Sequence, residues 1–465
     1  MEEKIMETGF IDHKRIDEYL KNTTAPDKSE VAEILTHGRE LKGISFEEAE
    51  RLLMVEDDEL VQQLLETANF IKESIYGSRL VLFAPLYISN LCNNECLYCA
   101  FRKSNRLIPR RTLTMEEVKR ETEALVSEGH KRVLLVSGEG LGMAALDYSI
   151  KAIETIYSVQ VGKGSIRRIN INIAALPVEG FRQLKEARIG TYQLFQEVYH
   201  YPTYQSMHPN GPKSDYLNHL TAMDRALEGG IDDVGVGILF GLYDYRFEVM
   251  ALLQHIRHLE SQFGIGPHTI SVPRLEPATG SEVAAHPPYQ VSDKDFRKLI
   301  AILRITVPYT GMILSTRENA QMRREALSLG ISQISAGSKT NPGGYSDGES
   351  GEQFSLGDHR SLEEVIYDIA QLGHIPSFCT GCYRLGRTGN DFMDLAKPGL
   401  IKHYCLPNAI TSFKEYLVNY ASEKTKTIGD TLIEKMLDEI PSQNVRDKTV
   451  DALKRITLGE LDIYL

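Results

Sequence analysis

Two hydrophobic periods alternate along the middle of the chain. Short apolar runs are each followed by a longer segment whose apolar residues recur every three or four positions. "LVLFAPLYIS" precedes "TMEEVKRETEALVSEG", "RVLLVSGE" precedes "ALDYSIKAIETIYSV", and "RRININIAA" precedes "PVEGFRQLKEARI". "TYQLFQEVY", "DVGVGILFG", "HTISVPRL", "TGMILSTR" and "ISQISAGS" continue the series, the first four again with helix-patterned segments behind them. The first kind of run predicts buried strands and the second amphipathic helices. Eight strands over about 260 residues match a barrel of eight βα units, and the repeated order argues for a parallel sheet with helices outside. An open doubly wound sheet satisfies the same periodicity. In either architecture ligands bind beyond the carboxyl ends of the strands.

The flanks are patterned differently. Residues 1–80 are helix-like throughout, in "RIDEYLKNT", "SEVAEILTHGRELKG", "SFEEAERLLMV" and "DELVQQLLETANFIKESIYG". Ser45 and Glu48 predict a capping box at one of these starts. After residue 340, "KTNPGGYSDGESGEQFSLGDHRS" reads as a loop and "LEEVIYDIAQLG" as a helix. A cysteine-bearing stretch and further helices follow. The expected plan is an α/β chain: an N-terminal helical region over 1–80, a (β/α)8 TIM-type barrel over 81–340 and a mostly helical C-terminal cluster-binding domain over 341–465.

Composition narrows the function classes. With 465 residues, 42% hydrophobic and 25% charged, the chain has the balance of a globular protein with a large core. No apolar run approaches the roughly 20 residues that span a bilayer, so no membrane is expected. The start "MEEKIMETGF" has no basic stretch before an apolar core, and the expected compartment is the cytoplasm. A formal net charge of -12 argues against nucleic acid as the main ligand. The nearest thing to a basic patch, "FRKSNRLIPRR", is a solvated loop or a docking surface for an acidic protein.

All six cysteines fall into two groups of three. Cys92, Cys96 and Cys99, in "LCNNECLYCAF", are spaced C-x3-C-x2-C just after the first strand. Cys379, Cys382 and Cys405 are spaced C-x2-C-x22-C. In a reducing compartment such groups bind metal more often than they form disulfides. A structural zinc site takes four ligands, and no histidine lies between residues 92 and 101. A [4Fe–4S] cluster on three thiolates leaves one iron open to a small molecule. For the second trio zinc competes, because His374 or His403 would complete a Cys3His site.

The C-x3-C-x2-C spacing at a barrel mouth resembles the radical S-adenosylmethionine (SAM) enzymes; a zinc knuckle with a distant histidine is the bland alternative. The resemblance implies a [4Fe–4S] cluster whose open iron binds SAM, and a 5′-deoxyadenosyl radical formed by one-electron cleavage. Tyr98 matches the aromatic residue before the third cysteine. "SGEG", residues 137–140, resembles the Gly-Gly-Glu turn that faces the SAM amino group, with Glu139 matching and Ser137 replacing the first glycine. "GVGILFG" resembles the segment bordering adenine, or is a plain buried strand. Glu197, in "FQEVYH", would hold SAM ribose or amino groups, or form a rim salt bridge.

Over essentially its whole length the chain resembles the HydG family, the tyrosine lyases that help mature [FeFe]-hydrogenases. The C-x2-C-x22-C element is the most specific part, since segments like "VPRLEP", "LSTRE" and "SAGSKTNPGGY" also occur in the tyrosine lyase of thiazole biosynthesis. The resemblance implies cleavage of L-tyrosine at Cα–Cβ to p-cresol and a dehydroglycine-like fragment. That fragment would become carbon monoxide and cyanide on iron at a second, auxiliary [4Fe–4S] cluster. An electron donor such as ferredoxin or flavodoxin and the other hydrogenase maturases are the implied partners. The resemblance also makes His268, in "PHTISVPR", a ligand of an extra iron at the auxiliary cluster; on pattern alone it is a core histidine.

Arg274 in "SVPRLEP" and Arg317 in "ILSTRE" end the sixth and seventh strands. A planar guanidinium matches the tyrosine carboxylate, so both are candidate active-site residues. The alternative is a rim salt bridge with Glu276 or Glu318. Ser335 and Ser338 are further candidates. Two other functions remain open: a thiazole-type lyase with a structural C-terminal zinc, and a non-catalytic iron–sulfur scaffold.

Overall fold

Eight parallel strands close into a barrel in the computed structural model, which describes residues 8–465 apart from Leu141 and Glu349. Residues 1–7 of the expected helical region lie outside the described residues. The strands are β1 (Arg79–Ser89), β2 (Arg132–Ser137), β3 (Arg168–Asn172), β4 (Thr191–Gln193), β5 (Asp233–Gly237), β6 (Thr269–Ser271), β7 (Gly311–Leu314) and β8 (Gln333–Ser335). Each pairs with the next, and β8 closes onto β1, from Val81–Gln333 to Phe83–Ser335. The alternation therefore gives a closed barrel rather than an open sheet. Seven helix-patterned segments follow their strands, and one of them, "DYLNHLTAMDRALEGG", is broken at Thr221 into Tyr216–Leu220 and Ala222–Glu228.

Local signals explain several boundaries. Ser45 Oγ accepts from Glu48 N–H at 3.1 Å and Glu48 Oε2 accepts from Ser45 N–H at 2.7 Å, closing the expected capping box. The N-terminal helix Asp58–Tyr76 packs along the barrel helix Asp293–Thr306. Lys298 crosses between these layers, with Nζ donating to the Val55 carbonyl at 2.9 Å.

β1 is the longest strand, 11 residues and buried from Leu80 onward. Its far half pairs with β2, and its middle with β8. Its first three residues, Arg79 to Val81, pair with a ninth strand, β9 (Ile375–Ser377). Sequence patterning did not signal β9, which is only three residues long and contains Pro376. It ties the C-terminal region into the barrel's own sheet. The helix Ile401–Asn419 then returns against β9. Its Glu415 accepts from Lys131 Nζ at 2.6 Å and from Arg167 Nη2 at 2.6 Å, residues that enter β2 and β3.

The barrel axis is not filled with the branched aliphatic layers usual in this architecture. Buried Gln193, Thr269 and Gln333 occupy its middle. Two glycines make room for them: a Cβ on Gly235 would lie 2.4 Å from Thr269 Oγ1, and one on Gly311 2.5 Å from Gln333 Nε2. Among the described residues, no helix is long and apolar enough to cross a membrane.

Candidate functional site

At the carboxyl ends of the strands, Cys92, Cys96 and Cys99 line a cavity of about 90 Å³ with Tyr98, Glu139 and Lys213. The turn after β2 packs its backbone directly against that of the cysteine loop. A Cβ on Gly138 would sit 2.4 Å from the Leu91 carbonyl oxygen, and one on Gly140 2.7 Å from the Cys92 nitrogen. Glycine at 138 and 140 is thus a steric requirement. Ser137 stands one residue short of the close approach, its hydroxyl donating to the Gly138 carbonyl at 3.1 Å.

The expected SAM-side residues gather here. Glu139 Oε2 accepts from Asn94 Nδ2 at 2.7 Å. The buried Tyr98 hydroxyl is 2.8 Å from His208 Nε2, and His208 Nδ1 is 2.8 Å from the Tyr204 carbonyl. The carbonyl can only accept, so Nδ1 carries the proton and Tyr98 donates to Nε2. Glu197 adopts a φ of 67°, a left-handed conformation few non-glycine residues take. Its Oε1 is 3.3 Å from Lys213 Nζ. Burial works against the Lys213 charge, but Glu197, Cys96 and Glu139 together hold its pKa above the ordinary value. Burial, with Glu139 behind it, pushes Cys92 up to about 11, and burial raises Cys96 and Cys99 as well. The thiols stay protonated until a metal displaces their protons.

A deeper cavity of about 130 Å³ shares Asn172, Phe195, Glu197 and Gln353 with the first. Arg317 lines it, stacked 3.3 Å from the centre of the Phe354 ring. Among the described residues the Arg317 guanidinium makes no ion pair. Burial lowers its pKa, opposed by Tyr87, Glu197, Cys99 and Glu276. Ser335 also faces this cavity, its Oγ accepting from Thr316 N–H at 3.2 Å. Ser338 is buried away from both cavities.

Arg274 is not in the chamber, which corrects its expected role. Its Nε and Nη2 donate to Glu318 at 2.8 and 2.5 Å, and its Nη1 donates to Asp293 at 2.7 Å. The fork is taken up by a buried carboxylate outside the lumen. Two residues that sequence spacing did not signal stand at the site instead. Lys213 reaches Glu197 from a short 3-10 turn, and Gln353 reaches Cys99 from the loop after β8.

The second trio lies at the opposite end of the barrel. Cys379, Cys382 and Cys405 line a cavity of about 50 Å³ with Arg79 of β1, Arg132 of β2 and His268, which precedes β6. β9 delivers Cys379, the short helix Gly381–Arg384 carries Cys382, and the helix Ile401–Asn419 carries Cys405. Gly381 N–H donates to Cys379 Sγ at 3.2 Å, and Arg132 Nη1 to the Cys379 carbonyl at 2.9 Å. The hydrogen bond from Cys382, helped by Arg79, Arg387 and Arg132, brings Cys405 down to about 6, and the same bond drives Cys382 up.

His268 Nε2 lies 3.3 Å from the Tyr383 hydroxyl, and its Nδ1 lies 3.5 Å from Asp233. Burial lowers its pKa, keeping the ring neutral and able to ligate. Neither His374 nor His403 lines this cavity. Among the described residues, no three His, Cys, Asp or Glu side chains converge as the ligand set of a single ion. A structural zinc site needs four converging ligands, whereas thiols spread around a cavity suit a multi-iron cluster.

Comparison with known proteins agrees with this arrangement. The Radical SAM superfamily model matches residues 86–256, and the Biotin and Thiamin Synthesis associated domain model matches residues 271–375. The 2-iminoacetate synthase of Salmonella typhimurium is 32% identical over 318 residues, 68% of this chain and 82% of that protein. A crystal structure of HydG, a maturase of the [FeFe]-hydrogenase, is 53% identical with a TM-score of 0.95, covering 98% of this chain and all of that one. The HydG maturase of Carboxydothermus hydrogenoformans is 41% identical with a TM-score of 0.83, covering 95% and 97%. A radical SAM enzyme uses SAM and a [4Fe–4S] cluster, and the upper trio, with its glycine cradle, fits that demand. The likeness to the two HydG structures covers nearly the whole chain, and on that ground the chain belongs to the HydG family of radical SAM [FeFe]-hydrogenase maturases.

Proposed function

We propose that this protein is a radical SAM tyrosine lyase that makes the diatomic ligands of a hydrogenase cofactor. It splits L-tyrosine at Cα–Cβ into p-cresol and a dehydroglycine fragment, and that fragment yields carbon monoxide and cyanide on iron. Cys92, Cys96 and Cys99 hold the SAM cluster; Glu139, Tyr98 and Glu197 border SAM. When bound, the reduced cluster and SAM supply a 5′-deoxyadenosyl radical that takes hydrogen from the substrate. Arg317 receives the tyrosine carboxylate. Cys379, Cys382 and Cys405 hold an auxiliary [4Fe–4S] cluster, and His268 ligates an extra iron there. The reducing electron comes from a ferredoxin or flavodoxin, and the other hydrogenase maturases take the product.

Two thiol trios at opposite ends of one barrel, with a half-buried arginine that makes no ion pair among the described residues beside the upper one, carry this assignment. The relative that shares the barrel is a 2-iminoacetate synthase, and 2-iminoacetate is the dehydroglycine fragment itself. β1 runs from one trio to the other, and its 11 residues span about 33 Å at roughly 3.3 Å per residue. A fragment released above must therefore cross the barrel, whose middle carries Gln193, Thr269 and Gln333. Polar side chains there suit the passage of a small polar molecule.

The test is an anaerobic reaction with L-tyrosine, SAM and dithionite, read for p-cresol, carbon monoxide and cyanide. Cys96→Ala should abolish SAM cleavage and p-cresol together. Cys382→Ala should keep some p-cresol while losing carbon monoxide. Loss of SAM cleavage in a folded Cys382→Ala protein with an intact first cluster refutes the two-site reading. Absence of 5′-deoxyadenosine from the parent enzyme points instead to a scaffold.

A further inference from the structure

Among the side chains that line both upper cavities, one comes from beyond the last barrel strand. Gln353 sits on the loop after β8 and lines both spaces. Its backbone is pinned, with its N–H donating to the Thr340 carbonyl at 2.9 Å and its carbonyl accepting from Ala100 N–H at 3.3 Å. Its side-chain amide is held at both ends: Nε2 lies 3.7 Å from Cys99 Sγ, and Oε1 lies 2.7 Å from the Tyr87 hydroxyl.

Chemistry fixes which way this amide faces. Opposite a thiolate at Cys99, an amide oxygen would set lone pairs against lone pairs, so the N–H must point at sulfur. Oε1 then accepts, and the Tyr87 hydroxyl is its donor. Burial raises the Tyr87 pKa, so the hydroxyl keeps its proton at neutral pH. Hydrogen bonds to cluster sulfurs are among the factors that set iron–sulfur potentials, because they stabilise the more electron-rich reduced state.

We propose that Gln353 is a positioning residue of the SAM cluster: its amide, locked by Tyr87, donates an N–H to the Cys99 sulfur and raises the cluster's reduction potential. The proposal rests on the cluster at the upper trio and not on the identity of the substrate. It makes the loop after β8 part of the electron-accepting site.

The experiment is a mediated redox titration of the anaerobically reconstituted holoenzyme, read by electron paramagnetic resonance of the SAM cluster, with iron content as control. Gln353→Glu keeps the size and replaces the donor with an oxygen; Gln353→Leu removes both polar atoms. At the wild-type midpoint, where half the clusters are reduced, both variants should be reduced in well under half, Glu less than Leu. Tyr87→Phe, which leaves the donor but frees the amide, should fall between Leu and wild type. A purely structural role changes iron loading and leaves the midpoint in place. Fully loaded Gln353 variants with the wild-type midpoint overturn the proposal. Should both lose the cluster, a wild-type midpoint in Tyr87→Phe overturns it equally.

Discussion

Arg317→Ala should cost tyrosine affinity more than any other single change in the upper chamber. The Arg317 guanidinium is half-buried, stacks on Phe354 and makes no ion pair among the described residues. A carboxylate arriving there forms charge-assisted bonds and buries the pair against the Phe354 ring. Truncating one partner of such a buried pair costs about 2–5 kcal/mol, which is about 30-fold to several thousand-fold in binding. Arg317→Lys keeps the charge and loses the fork and the stack, and should cost about 10-fold, near the low end for one charge-assisted hydrogen bond. The assay is 5′-deoxyadenosine and p-cresol formation against tyrosine concentration, with the iron signal confirming the SAM cluster. Tyramine, tyrosine without its carboxylate, supplies the control. Wild type should favour tyrosine over tyramine, and Arg317→Ala should erase the preference. An unchanged KM for tyrosine, or an equal penalty with tyramine, refutes the carboxylate role.

Three further outcomes follow from the described contacts. His268→Ala should lose about one iron per chain, on a one-imidazole, one-iron reading, and reduce carbon monoxide more than p-cresol; unchanged iron and carbon monoxide return it to the core. Glu415→Gln leaves Lys131 buried without its carboxylate and Arg167 with Asp462 alone, and should destabilise the chain by about 3–5 kcal/mol in denaturant titrations. The intact cluster is worth less than that figure, since burial pulls Lys131 down to about 8 even as Lys131 and Arg167, outweighing burial, hold Glu415 near 2. His130 and His255 are held by burial at about 3 in the fold, below the ordinary 6.5. Their contribution is therefore complete above pH 6.5 and lost as pH falls, by about 1.4 kcal/mol each at pH 5.5. Among the described residues, His130 has no hydrogen-bond partner at either ring nitrogen. His130→Leu should flatten the denaturant midpoint's dependence on pH between 7.5 and 5.5, and an unchanged slope counts against this account.

How much of the site was legible depended on how local its cause was. The upper trio is set by spacing within one short segment, so its grouping could be read directly, while Tyr98 and Glu139 were legible only through the resemblance to radical SAM enzymes. The eight strands were legible because a strand buried on both faces leaves a continuous apolar run. β9 left no such trace: Ile375, Pro376 and Ser377 make no pattern, and their strand character comes from the edge that β1 offers. The position of the second trio at the far end of the barrel followed from β9 and was equally hidden. Arg274 and Arg317 looked alike, each ending a strand beside a glutamate. Only the fold shows that Glu318 turns to Arg274, leaving Arg317 to the lumen. Lys213 and Gln353 come from connections far along the chain, where no local periodicity constrains them.

The length of β1 sets how the two ends can communicate. On the proposed function, with a cluster in each trio, the two centres lie at opposite ends of β1, whose roughly 33 Å, tilted by about 36°, separates them by about 27 Å along the axis. Electron exchange falls steeply with separation, and the strand acts as an insulator between them. On that reading a charge delivered to the SAM cluster would stay available for SAM cleavage and not drain into the lower centre. Each centre can keep its own oxidation state through a turnover, and traffic along the barrel is molecular, with no wire between its ends.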